Sequence, residues 1–494
     1  MPAALIDTWI FFALLAFAVP IGLMLVAVGS SSEDRAEEVA VTALIALATA
    51  VLGYFATGFA LQFGGVAFLS GMPGLARLTA EWSPLDVAWG PGWGLVGLRG
   101  FFLRGEAENA DVFLLFLSHL PAVTTAVLVV LLALGKHIPR VRLLGLGLLV
   151  SGLIYPLFGN WVWGGGWLAN LGLNLELGHG FVDAAGSAGI FLLGTLVALS
   201  VQLVAQPRRA SEPGPARLPP LHFPLFMILG ALLALAGWPG LLLSNPLISG
   251  QLVVPLAVMN LLFAAAAGSL TMVLYSWFVT GAPNALVVAR GTVAGLVAAS
   301  AGCAFVSPWA SLAIGAVAGL LSLLGTYLWQ QVLHWDDPNV TGATFGLPAL
   351  WGLLAVAIFS SGRWGAGWNA VGEQAYLGVA GQGVTGLLVA EGYQLAGDAQ
   401  LRAQLVGIGA LIVVGLALPW LILKLLLWLR AAARPRQVPA AVEGQPISDD
   451  GAPVQPAEPA LALLESPQPA EDEQDLELQL NDEEDCSQRV DPSI

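Results

Sequence analysis

Charge is what this sequence has least of. Only 10% of its 494 residues are charged while 57% are hydrophobic, and a mean hydropathy of +0.79 excludes a soluble globule. Cysteine is nearly absent. Cys303 lies in an apolar run and Cys486 near the C-terminal end, so the two cannot meet and no disulfide framework is expected. Lys and Arg number 18 against 33 Asp and Glu, a balance that offers no surface for nucleic acid. Catalytic signatures are missing too. None of G-x-x-x-x-G-K-[ST], G-x-S-x-G, H-E-x-x-H or C-x-x-C occurs, so no nucleotide-driven pump, enzyme activity, metal or cofactor is expected. The start, MPAALIDTWIFFALLAF, lacks the basic stretch of a cleaved signal and is expected to enter a first span directly.

What is present is a series of apolar runs, many as long as the roughly 20 helical residues that cross a bilayer. They predict an all-α polytopic membrane protein with eleven spans, near residues 7–29, 40–62, 112–135, 142–159, 183–206, 221–243, 252–278, 284–304, 308–330, 341–361 and 401–430. Orientation follows from Lys and Arg in short loops. Lys136, Arg140 and Arg142, then Arg208, Arg209 and Arg217, then Arg430, Arg434 and Arg436 all fall on one side, which is read as cytoplasmic. The N-terminus is then outside. Arg77, Arg99 and Arg104 sit in an outer loop long enough for the rule to weaken.

The net charge of −15 belongs mostly to one end: residues 440–494 hold fifteen Asp and Glu against Arg489 alone. A membrane domain over 1–432 and an acidic, disordered cytoplasmic tail over 433–494 are therefore expected. Small residues crowd AAAAGSL (264–270), GTVAGLVAASAG (291–302) and AIGAVAGLLSLLG (313–325), which predicts close backbone packing of those spans. Pro20, Pro121, Pro308 and Pro348 are candidate helix breaks. Two long outer loops, one around WSPLDVAWGPGWGLVGLRGFFLRGEAEN and one over 362–400, are expected to cap a mouth.

One acid stands apart. Between Asp183 and Arg208 there is no other charge, and before Asp183 runs a loop dense in Trp and Gly. A carboxylate at membrane depth marks a substrate path by default, and two accounts fit it. It binds a cation or its proton, or it serves structure by hydrogen bonding across the bundle.

Three stretches resemble the Amt/Rh ammonium transporter family, in the family's order. They are YPLFGNWVWGGGWLANLG with GFVDAAGSAG, then GTVAGLVAASAGCAFVSPWASLAIGAVAG at 291–319, then DDPNVTGATFGLPALWGLLA at 336–355. The resemblance covers roughly residues 5–430. It implies a homotrimer in the cytoplasmic membrane, each subunit built from two inverted five-helix repeats plus a final helix around its own narrow pore. It implies ammonium or ammonia as the substrate, without ATP.

Residue by residue, the resemblance assigns the recruiting Trp of the outer vestibule to Trp163, in an intact VWGGG. Phe116 takes the place of one gate Phe, Leu241 that of its partner, and Asn245 that of a vestibular hydroxyl. The family's two pore histidines fall at Asp183 and Phe345, so neither survives; His119, His137, His179, His222 and His334 lie elsewhere. Two alternatives follow on the same fold: an ammonium sensor closed by Phe345 and Leu241, or a conductor of another small solute. The family's cytoplasmic C-terminal element is not recognisable in RAAARPRQVPAAVEG, which weighs against a PII-type regulator.

Overall fold

The computed structural model describes residues 3–89, 92–135, 138–205, 222–333 and 341–433. The acidic tail and Lys136, His137, Arg208, Arg209, Arg217, His334, Arg434 and Arg436 lie outside the described residues. The chain divides into Met1–Ala431 and Ala432–Ile494, and the spans belong to the first unit.

Nine helices among the described residues are long and apolar enough to cross a membrane: Leu5–Gly29, Arg35–Phe63, Ala110–Leu134, Arg140–Trp163, Ser187–Ala205, Phe223–Leu243, Val254–Thr280, Pro308–Val332 and Ala399–Leu429. Two shorter apolar helices, Ala285–Ala299 and Thr344–Phe359, occupy the remaining two expected positions. Counted in chain order these are spans one to eleven. The chain is thus an all-α polytopic membrane protein. In spans three and five 89% and 72% of the apolar window is buried, against 33–56% for the other seven long helices, so these two form the centre and the rest surround them.

Two of the boundaries that differ from the sequence expectation bear on the site. Span five begins at Ser187, not at 183, because Gly186 adopts a left-handed φ of 93° and Asp183 turns back to cap the helix. Span eight stops at Ala299, not near 304, because residues 300–301 pair with the segment before span five: the Ala184 N–H donates to the Ala301 carbonyl at 3.2 Å and the Ala185 N–H to that of Ser300 at 2.9 Å. The Asn260 amide then holds the following turn, donating to the carbonyls of Cys303 and Val306 at 2.8 and 2.9 Å.

The prolines divide by position. Pro308 does not break a helix; it opens span nine behind the cap Ser307, where its missing N–H costs nothing. Pro121 and Pro348 lie inside helices, and Pro20 lies just past the break at Phe17 between Ala3–Ala16 and Ala18–Gly29. Spans two and five each contain a wider π turn, Tyr54–Gly58 and Ser187–Leu192, and both turns carry residues of the site below.

Small residues do bring spans seven, eight and nine together. A Cβ on Gly291 would lie 2.6 Å from the Gly268 carbonyl, and one on Gly315 would collide with the Ala264 carbonyl. Without side chains between them the backbones touch, which is how helices gain contact in lipid. Gly315→Leu is therefore expected to cost about 3 kcal/mol or more, read as a lowered unfolding midpoint in detergent. An unchanged midpoint would show that the helices can part freely.

Candidate functional site

A cluster of buried aromatic rings is built where span four ends. Trp163 is the last residue of that helix, buried, and its indole N–H donates to the Asp183 carbonyl at 2.8 Å. The ring lies over Gly189, where any Cβ would collide with it. Tyr155 and His119 flank it, with ring centroids at 6.2 and 6.3 Å. Glycine at 189 is thus what lets the indole lie flat against span five.

Asp183 is held from both ends. Besides its carbonyl, its carboxylate is engaged: Oδ1 accepts the Gly186 N–H at 3.1 Å, and Oδ2 those of Ala188 and Gly189 at 2.9 and 3.0 Å. These are the orphan donors of span five's first turn, where a negative group is favoured by the helix dipole. The segment before it is strapped to span eleven. Gln404 accepts the Val182 N–H at 2.8 Å and donates to its carbonyl at 2.9 Å. The Asp183 carboxyl therefore does not bond across the bundle to another span's carbonyl; its contacts are with the start of its own span.

The resemblance placed Asp183 opposite Phe345, and the structure corrects this pairing. The ring that meets Phe345 is Phe191, at 5.4 Å, eight residues further along and inside the π turn of span five. Phe191 is also stacked on Trp238 at 5.1 Å with planes 7° apart, and Trp238 is anchored to Ser300 Oγ at 2.7 Å. The reason is spacing. The loop after Trp163 includes a short helix, Leu171–Leu175, and span five starts only at Ser187, so a gapless count from Trp163 stops at Asp183, short of Phe191. The centre of the bundle is closed by three aromatic rings from spans five, six and ten.

Phe116 stacks on Tyr54 at 5.3 Å and tilts toward Phe59 at 6.3 Å, both from span two. Leu241 is buried in the main core. Asn245 is buried beside His119, its amide nitrogen 3.4 Å from Nε2, while its Oδ1 accepts the Leu247 N–H at 3.0 Å. His119 Nδ1 lies 3.2 Å from the Leu115 carbonyl, an arrangement that puts the proton on Nδ1 and leaves Nε2 as the acceptor for Asn245. Phe63 packs edge-on against the imidazole at 4.7 Å.

His119, Tyr155, Phe191 and Trp238 are site residues that the sequence reading passed over. His119 had a signal, a polar ring inside the otherwise apolar FLLFLSHLP. Phe191 had none, being one of 21 phenylalanines. No group of three or more His, Cys, Asp or Glu among the described residues could hold a metal. In the loop before span five His179 is buried against Tyr376 at 4.5 Å, and burial pushes its imidazole down to about 4, so the ring is neutral at ordinary pH.

These features define a class: helical membrane proteins whose buried aromatic mouth leads to a constriction between spans. The profile described as Ammonium Transporter Family matches residues 8–441. Ammonium transporter Amt2 of Archaeoglobus fulgidus is 32% identical over 350 residues, covering 70% of this chain and 69% of that one. The ammonium transporter of Bacillus subtilis is 28% identical over 308 residues, 61% of this chain and 71% of its own. Among solved structures, a Sensor Amt Protein matches with a TM-score of 0.65 at 23% identity over 88% of this chain and 96% of that one. Mep2 of Candida albicans matches with a TM-score of 0.65 at 20% identity, over 87% and 86%. The chain belongs to the ammonium transporter family.

Proposed function

We propose that this protein conducts ammonium nitrogen across the cytoplasmic membrane, as ammonia, through a pore in each subunit of a homotrimer, with the N-terminus outside and the acidic tail inside. The observation that carries the reading is the mouth: the Trp163 indole lies beside the His119 and Tyr155 rings, and all three are buried. An indole face attracts an ammonium ion by about 0.5–2 kcal/mol when partly desolvated. Cations thus gather at the mouth, while the all-aromatic constriction of Phe191, Phe345 and Trp238 admits only a neutral molecule.

Ammonium uptake by cells lacking transporters of their own tests this. Trp163→Ala is expected to raise the half-saturating concentration about three- to thirtyfold. The same three rings favour a second reading, a sensor whose closed centre binds ammonium without passing it. No uptake together with measurable ammonium binding would select the sensor, and uptake would exclude it.

A further inference from the structure

Ammonia that crosses an aromatic constriction has left a proton behind, and the mouth needs a group to take it. Asp183 is occupied by three backbone donors. A second carboxylate, partly buried, lies in the loop between spans two and three. Glu81 sits in a short hairpin, Glu81–Trp82 paired with Val96–Gly97, and points under the end of span four.

We propose that Glu81 is the outer proton acceptor of transport, reached from the Trp163 mouth through water held along Tyr155, Tyr54, Gln62 and Asn160. The connections are these. Tyr155 flanks Trp163 and lies 6.5 Å from the Tyr54 ring. The Tyr54 hydroxyl donates to Gln62 Oε1 at 2.9 Å. The Asn160 amide donates to the Gln62 backbone carbonyl at 3.0 Å, and Asn160 in turn faces Glu81.

Four of these five groups share one property. Among the described residues, Tyr155 Oη, Gln62 Nε2, Asn160 Oδ1 and Glu81 Oε1 are all buried atoms without a hydrogen-bond partner, and so is Trp167 Nε1. Gln62 and Asn160 are fully buried side chains. Such groups are costly unless hydrated, and a mixture of orphan donors and acceptors is what water, rather than a bare cation, satisfies. Glycines let these side chains approach the backbone. A Cβ on Gly94 would collide with the Glu81 carboxylate, one on Gly166 would lie 2.8 Å from Asn160 Oδ1, and one on Gly159 2.7 Å from Gln62 Nε2.

The groups acting on Glu81 can be named from each element around it. Gly65, just past span two, and Gly94, just before the facing strand, lie against it, span four presents Asn160, and helix Pro84–Trp89 presents Asp86. Burial first, then the Asp86 charge, push the carboxyl up to about 7, with Asn160 opposing. The step balances: ammonium and the Glu81 carboxylate become ammonia and the carboxylic acid, which then returns its proton to the outer medium. Above pH 7 the carboxylate is free to accept, and below it the acid form blocks the step.

This inference rests on the ammonia-conducting reading, and the test separates the two. In liposomes the wild-type rate is expected to rise through about pH 7. Glu81→Gln should lower the maximal rate about a hundredfold and flatten that profile, with the half-saturating concentration unchanged. Glu81→Asp, which keeps the carboxyl group, should restore the pH dependence. Infrared titration should show a carboxyl band vanishing near pH 7 in the wild type, absent in Glu81→Gln and shifted in Glu81→Asp. A full rate and profile in Glu81→Gln, or no such band in the wild type, overturns the assignment. If the wild type moves no ammonium, the conducting reading falls, while the infrared titration still decides whether Glu81 takes up the proton. Should Glu81→Gln not assemble, the Glu81→Asp band alone decides.

Discussion

Asp183→Ala is expected to lower the stability of the folded protein by about 3–5 kcal/mol. The substitution strands three buried backbone N–H groups, those of Gly186, Ala188 and Gly189, at the start of a helix in the bundle's centre. Each charge-assisted bond contributes about 1.5–3 kcal/mol, and the losses overlap because the donors share one partner. The effect reaches the mouth, since the Trp163 indole N–H bonds to the same residue's carbonyl. A lowered unfolding midpoint and a red-shifted, more mobile tryptophan signal should therefore accompany any loss of uptake. Asp183→Asn, which retains an acceptor oxygen, should fall between. Full stability with abolished transport would instead make Asp183 a substrate or proton group.

Replacing both Phe191 and Phe345 by His should change what crosses. Two facing hydrocarbon rings 5.4 Å apart offer no atom that accepts a proton, so the wild type should carry ammonia with no ammonium-dependent current. A pair of imidazoles at the same positions supplies titratable nitrogens that can pass a proton between them. The double variant is expected to show an ammonium-dependent current at least about tenfold above background, since a charge that is unpaired at this depth costs several kcal/mol and a relay removes that cost. Electrophysiology on supported membranes measures it. A current of the same size in the wild type would reveal a proton route around the rings. Because Phe191 also stacks on Trp238, the midpoint of the double variant should be measured alongside.

The correction at Phe191 shows where reading the chain runs out. Both Trp163 and Asp183 could be located from VWGGG and GFVDAAGSAG, but the distance between them in space could not. A loop containing its own short helix, Leu171–Leu175, stores residues without advancing the chain through the membrane. Counting along the sequence therefore shifted the constriction by two helical turns. His119 was visible as a polar ring in span three, yet its partners Trp163, Phe63 and Asn245 come from spans four, two and six's outer end.

Composition and periodicity alone determined that this protein crosses the membrane many times, where the helices lie and which of them pack through small residues. Those properties follow from local hydrophobicity and from the absence of side chains at Gly268, Gly291 and Gly315, and both are written in consecutive residues. Only the tertiary structure decided that the Asp183 carboxylate accepts the N–H groups at the start of span five, that Phe191 packs against Phe345 and Trp238, and that the Glu81 carboxylate lies against Gly94. Each of those facts depends on which backbone donor or ring from a distant span fills the space beside the side chain. A sequence of apolar helices does not encode that neighbourhood locally, because lipid and protein interior ask for the same residues.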